Sequence, residues 1–306
     1  MFGLSKDYVR KIFGYRKVSV VRLLQGLSCE EKYYIQTKDG KEFLLKLYDS
    51  SCFSRISDEQ LWIRYLTSNN VPTNCVLDFG VSNNTKCAYM LLSWLPGVAL
   101  FDAIQNADSD ICAQLGAKAG RLLRQIHQIP LTQGMSIPRK LSEVINDCIC
   151  EFSINEALLQ RYPTMAVFLH FLEENKYVNL PEMRNCVLHG DYHTKNLILN
   201  KDRISVIDWV YGAVGAPEED FVRNVINAIS SPSFAAAQID AYFDGVIPDS
   251  FWLGLAIYTA IHELRITKLS FPDPMPGMSF VDYQHKLVMD QYSSMTSLIP
   301  NYYSHM

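Results

Sequence analysis

The sequence predicts an α+β protein of two lobes, with a small antiparallel β N-lobe over residues 1–95 and a mainly α-helical C-lobe over residues 96–306. Three observations predict it. Short apolar runs separated by turn residues fill the stretch from Val18 to Leu92. From about residue 98 onward, apolar residues recur instead at helical spacing. The charge also changes sign: residues 1–95 carry 13 Lys/Arg against 9 Asp/Glu, a net of +4, whereas residues 96–306 carry 15 against 23, a net of −8.

The elements follow in order. Val18–Leu24 and Tyr33–Thr37 read as strands around the loop Gln25–Lys32. The turn Lys38-Asp39-Gly40-Lys41 leads into Glu42–Tyr48, where Phe43, Leu45 and Leu47 alternate with Leu44 and Lys46. An ammonium on so apolar a strand needs a partner, because burying it alone is costly. Ser57-Asp-Glu-Gln60 reads as a capping box that starts a helix. Glu59 then shares a face with Trp62, Ile63 and Leu66, which aims it at Lys46. Val76–Val81 and Ala88–Leu92 complete a five-stranded sheet, and Pro96-Gly97 ends it. Helices are expected at Leu115–Ile129, 141–152, Met165–Asn175, 251–268 and 280–296. The helix at 141–152 has an apolar stripe opposite an acidic face of Glu143, Asp147 and Glu151.

Composition excludes several classes. The 306 residues, 48% hydrophobic and 20% charged, can bury a sizeable core. No run of about 18 apolar residues exists, so no membrane span is expected. No basic cluster of nucleic-acid type appears. The eight cysteines form no Cys-x-x-Cys pair and read as reduced thiols of a cytoplasmic protein. A monomer is expected. A basic N-lobe suits nucleotide phosphates, and an acidic C-lobe suits a cationic small-molecule partner.

The densest chemistry lies between Val187 and Trp209. His189-Gly190-Asp191 is followed by Asn196 five residues after the Asp, and then by Asp208. Kinase catalytic loops use this spacing of an Asp, an Asn and a second Asp. Asn196–Leu199 and Ile204–Ile207 read as a hairpin across the turn Asn200–Arg203, which returns Asn196 toward Asp208. An amide oxygen and a carboxylate are hard ligands that suit Mg²⁺ carrying nucleotide phosphates. Asp191 is left to accept a proton from an attacking hydroxyl. A zinc cluster of His189, His193 and Asp191 has no Cys or Glu nearby to complete a four-ligand set.

These residues resemble the family of aminoglycoside phosphotransferases and choline kinases. That family has His-Gly-Asp where protein kinases have His-Arg-Asp, and Ile-Asp-Trp, here Ile207-Asp208-Trp209, in place of Asp-Phe-Gly. Leu123–Ile129 and Gly215–Phe221 also resemble family stretches, with His127 and Asp220 expected in structural roles, Asp220 as a helix cap. The resemblance implies a protein-kinase-like fold and ATP or GTP as co-substrate with Mg²⁺ on Asn196 and Asp208. It implies that Lys46, oriented by Glu59, holds the phosphates and that Ser28 caps them. Met90 would lie behind the base, with Ser93 and Leu95 offering backbone hydrogen bonds. Asp191 would be the catalytic base. An aminoglycoside-type acceptor would meet Glu143, Asp147, Glu151 and Glu263. A kinase for choline, a sugar or an amino alcohol, and an inactive nucleotide-binding partner protein, are the alternatives. A protein kinase fits less well, since no long activation loop separates Asp208 from Pro217.

Overall fold

The computed structural model describes residues 18–23, 30–82, 87–132, 135, 139–178, 185–269 and 277–304. The chain divides into two units, Met1–Val98 with Ile198–Gly212, and Ala99–Leu197 with Ala213–Met306. The fold is the α+β, two-lobed, kinase-like one.

The first unit holds a five-stranded antiparallel sheet of β1 (Val18–Leu23), β2 (Glu31–Thr37), β3 (Glu42–Asp49), β4 (Val76–Ser82) and β5 (Cys87–Ser93), in the order β1-β2-β3-β5-β4. Period-two alternation sorts its side chains. Tyr33, Ile35, Leu45, Leu47 and Leu91 form one apolar face, packed by Phe43 and Tyr89. The other face carries Lys46, Tyr48 and Met90, with Lys46 directly across from Met90 and from Lys32. Lys32, read from sequence as loop, is therefore on strand β2.

Helix α1 (Phe53–Ser68) begins four residues before the expected capping box. A 3-10 turn at Ser50–Cys52, capped by the Asp49 carboxylate accepting from the Ser51 amide at 2.9 Å, feeds straight into it. Ser57 and Gln60 therefore lie inside the helix. The buried stripe Ile56, Glu59, Ile63 and Leu66 keeps the predicted face.

The hairpin of β6 (Leu197–Asn200) and β7 (Arg203–Val206) turns through Lys201 and Asp202. Most of it groups with the sheet unit rather than with the helices. Its anchor is local: the Val206 amide donates to the Pro72 carbonyl at 2.8 Å, and the buried Trp209 indole donates to Thr73 Oγ1 at 3.0 Å.

The second unit is mainly helical. Helix α2 (Ser109–His127) packs along α3 (Pro232–Tyr242), and α4 (Asp249–Ile266), buried nearly all round, packs against the helix Met165–Glu174. Gly116 and Gly120, one turn apart on α2, face the backbone of α3. A methyl group on either would collide with the carbonyl oxygen of Phe234 or Gln238. Two three-residue strands, Cys186–Leu188 and Ala213–Gly215, pair antiparallel beside the loop that carries Asp191. The helix expected over 280–296 stops at Gln291, because Ser293, Ser294 and Met295 all adopt left-handed backbone angles. Among the described residues, no helix is long and apolar enough to cross a membrane, and Cys52, Cys75, Cys112, Cys148, Cys150 and Cys186 are free thiols.

Candidate active site

The expected site residues fall in both units, and each set is built independently. In the sheet unit, Lys46 Nζ lies 2.9 Å from Glu59 Oε1 and 2.9 Å from Asp208 Oδ1. Glu59 is supplied by the buried face of α1 and also accepts from the Tyr48 hydroxyl at 3.3 Å. Lys32, cross-strand to Lys46, lies 3.6 Å from Asp208 Oδ2 and 3.2 Å from Glu30. Two ammonium groups on neighbouring strands would repel, and Asp208 between them offsets this. Burial opposes the charge on Lys46, but Asp208 and then Glu59 outweigh it and hold its pKa well above the usual lysine value. Asp208 sits at φ +70°, a left-handed conformation that costs a non-glycine residue energy. Functional sites concentrate such strain.

The remaining nucleotide candidates are on or near β5. Met90 is fully buried beneath the sheet face that bears Lys46. Ser93 does not offer an open backbone: its amide donates to the Cys75 carbonyl at 2.9 Å and its carbonyl accepts from Asn74 Nδ2 at 2.8 Å. The sequence could not show this, because the partner strand enters from 18 residues upstream. Leu95 is half-buried just beyond the end of β5. Ser28 lies outside the described residues.

In the helical unit, the loop after Leu188 presents Asp191. Gly190, at φ +78°, makes the turn that most side chains would resist. The loop backbone is held by Asp220, which is fully buried. Its carboxylate accepts from the His189 amide at 2.8 Å and the Gly190 amide at 2.6 Å, and from His127 Nε2 at 3.0 Å. His127 is held in turn by the Tyr242 hydroxyl at 2.8 Å. Asp220 therefore braces the loop and is not a helix cap, since it lies inside the 3-10 turn Pro217–Phe221. Tyr192 donates to the Ala119 carbonyl at 2.9 Å, and the Thr194 amide donates to Asn227 Oδ1 at 3.0 Å.

The Asp191 carboxylate is flanked on both oxygens. Arg223 Nε lies 2.9 Å from Oδ1, and His193 Nε2 lies 3.3 Å from Oδ2. His193 Nδ1 accepts from the Lys195 amide, so the ring proton is on Nε2, facing Asp191. Burial favours the protonated acid, but the His193 hydrogen bond and the Arg223 charge prevail and hold Asp191 well below the usual carboxylate range. Asn196 donates its amide nitrogen to the Asp191 carbonyl at 3.0 Å and to Oδ2 at 3.1 Å. Its amide oxygen is thereby turned away from Asp191, in the sense that a cation ligand requires. Asn196 itself lies on a 3-10 turn, Thr194–Asn196, just before β6. Sequence reading missed Arg223 and His193 as site residues; the signal present was a cation three residues beyond Asp220.

The acidic residues expected around an acceptor have partners. Glu143 and Asp147 lie 3.6 Å and 2.5 Å from Arg139, all three exposed, and Glu151 pairs with Lys268. Glu263 is buried on α4 and accepts from His262 Nδ1 at 3.0 Å.

Solved structures share the fold. A thermostable mutant of aminoglycoside phosphotransferase APH(4)-Ia, in ternary complex with AMP-PNP and hygromycin B, superposes with a TM-score of 0.70 at 17% identity, covering 96% of this chain and 99% of that one. Amicoumacin kinase hAmiN, in complex with AMP-PNP, Ca²⁺ and Ami, gives 0.62 at 13% identity, covering 99% and 97%. Spectinomycin phosphotransferase APH(9)-Ia, in complex with ADP and spectinomycin, gives 0.61 at 15%, covering 99% and 94%. No curated protein sequence matches significantly. The model of the phosphotransferase enzyme family (APH) matches residues 20–252, which include every residue built into the site above except Glu263 and its partner His262, together with Lys268, and on that match the chain belongs to this family.

Proposed function

We propose that the protein is a small-molecule kinase, transferring the γ-phosphoryl group of ATP or GTP to a hydroxyl. The observation that carries this reading is Asp191, a carboxylate kept ionised and fixed in direction by His193 and Arg223. A hydroxyl placed on Asp191 gives up its proton to the carboxylate as its oxygen attacks the γ-phosphorus. The bond from that phosphorus to the bridging oxygen breaks, and the nucleoside diphosphate leaves with the electron pair. Lys46, held by Glu59, neutralises the phosphates that are not transferred. The hard oxygens of Asp208 and Asn196 suit Mg²⁺, which would supply charge neutralisation on the phosphates.

Two comparisons support this reading, the family match and the nucleotide complexes of proteins with the same fold, and so does the presence of Asp191, Asn196, Asp208 and Lys46 together in one chain. An aminoglycoside-type antibiotic is the acceptor that the structural relatives suggest. Here, such a polycation would have to take Glu143, Asp147 and Glu151 from Arg139 and Lys268.

The test is Mg²⁺-dependent binding of ATP and GTP, followed by transfer to aminoglycosides, choline, sugars and amino alcohols by wild type and Asp191→Asn. Transfer should fall by roughly 10²–10⁴ in the variant, the contribution of a general base. Wild-type rates in Asp191→Asn would remove Asp191 from the mechanism. Absence of nucleotide binding would remove the kinase reading.

A further inference from the structure

Arg223 is not fully accounted for by its contact with Asp191. A guanidinium carries five N–H donors in a planar fork. Only Nε reaches Asp191, at 2.9 Å, and the terminal amino groups have no acceptor among the described residues. The side chain is 18% exposed. Apart from Asp191 and the buried Glu263, the ionisable groups named around this site in the helical unit are basic. His193 stands on the other side of Asp191, and Lys195 of the same loop lies 4.8 Å above the Phe101 ring. His262, 22% exposed, lies within electrostatic range of both Arg223 and Asp191. Its Nδ1 is directed at Glu263 Oε1, so Nε2 is left as an acceptor for an O–H or N–H. The carboxylates that would welcome a polycation are engaged elsewhere or buried.

We infer that the acceptor carries one anionic group, a carboxylate or a phosphate, near the hydroxyl that is phosphorylated, and that the terminal amino groups of Arg223 bind it, with His262 Nε2 accepting from a neighbouring donor on the same molecule. The guanidinium fork matches such groups in two parallel hydrogen bonds. The same charge turns away a cationic acceptor, since like charges brought together in a partly dry site are repelled. One guanidinium thus touches both the base and the substrate, so binding the anion orients the hydroxyl relative to Asp191. The inference rests on the kinase reading for its chemistry.

The experiment screens hydroxylated compounds in matched sets against the full chain with Mg-AMP-PNP, with binding read by saturation-transfer NMR. The sets are hydroxy acids, sugar acids and sugar phosphates, the neutral alcohols and sugars that correspond to them, and kanamycin. The expected binders are anionic. Arg223→Gln should weaken them roughly 10–100-fold, as loss of a charge-assisted pair of hydrogen bonds implies. Arg223→Lys, which keeps the charge without the fork, should fall between the two and serves alone if the Gln variant does not melt as a folded protein. Neutral or polycationic binders, anionic binders indifferent to both variants, or no anionic binder would each overturn the inference. Mg-AMP-PNP binding by the wild type is measured separately, and its absence would count against the kinase reading instead.

Discussion

Asp220→Asn keeps the size of the side chain and changes only what it can accept. In the native protein, Oδ1 receives the Gly190 amide at 2.6 Å, and Oδ2 receives both the His189 amide at 2.8 Å and His127 Nε2 at 3.0 Å. An amide has one oxygen. If it stays on Gly190, the NH₂ group faces the His189 N–H, donor against donor. His127 can shift its proton to Nδ1 and become an acceptor, because Tyr242 is a hydroxyl that tolerates either role. His189 cannot adapt. The change therefore loses one hydrogen bond to a charged group, about 1.5–3 kcal/mol, and leaves a buried donor unsatisfied, about 1–3 kcal/mol more. A total on the order of 3–5 kcal/mol corresponds to a drop of roughly 6–20 °C in Tm for a domain of this size. The assay is calorimetric melting together with steady-state kinetics on any acceptor that turns over. The loop that presents Asp191 should also loosen, so kcat should fall more than nucleotide affinity, and the Gly190 amide should exchange faster with solvent. A variant with native Tm and native kcat would refute the reasoning, because Asp220 would then not be bracing the loop.

Other outcomes follow from the same geometry. Lys46→Ala leaves Glu59 buried without its cation, which should cost about 3–5 kcal/mol in stability and abolish productive phosphate binding. Glu59→Gln should be milder in kinetics, since Asp208 still holds the lysine at 2.9 Å, and equal defects in the two variants would contradict this. Burial pushes the Glu218 carboxyl up to about 7, so the folded state binds this proton more tightly than the unfolded state does. Stability should then be greatest below the unfolded pKa and fall as pH rises from about 4.5 toward 7. Glu218→Gln should flatten that part of the stability profile, as chemical denaturation at pH 5 and pH 8 would show; an unchanged slope would mean that the carboxyl is not penalised.

The parts of the molecule legible in sequence are those governed by short-range pattern. The alternation of Phe43, Leu45 and Leu47 against Lys46 fixed the faces of β3, and the Glu59–Ile63–Leu66 stripe fixed the inner face of α1, because both are set by local geometry. The Lys46–Glu59 contact followed from those two faces. What stayed hidden depends on partners distant in sequence. The Ser93 amide is taken up by the Cys75 carbonyl, and the two backbone amides that donate to Asp220 lie 30 and 31 residues upstream. Arg223 reaches Asp191 across a similar gap. The start of α1 was misplaced because an Asp49-capped 3-10 turn replaced the Ser57 cap. The end of the helix at Gln291 was missed because three non-glycine residues adopt angles usually left to glycine.

Gly116 and Gly120 bear on the Asp191 loop from a distance. Between them, on the same helix, Ala119 receives the Tyr192 hydroxyl. The loop is thus tied to α2 through Tyr192, to the Pro217–Phe221 turn through Asp220, and through Thr194 to Asn227 in the helix Asn224–Ser230. Functional loops usually belong to the least stable, first-opening segments of a protein. This one is fastened to a helix pair whose backbones meet without intervening side chains. Its amides should open only with the whole helical unit, so that the part of the chain carrying Asp191 is also among the last to unfold.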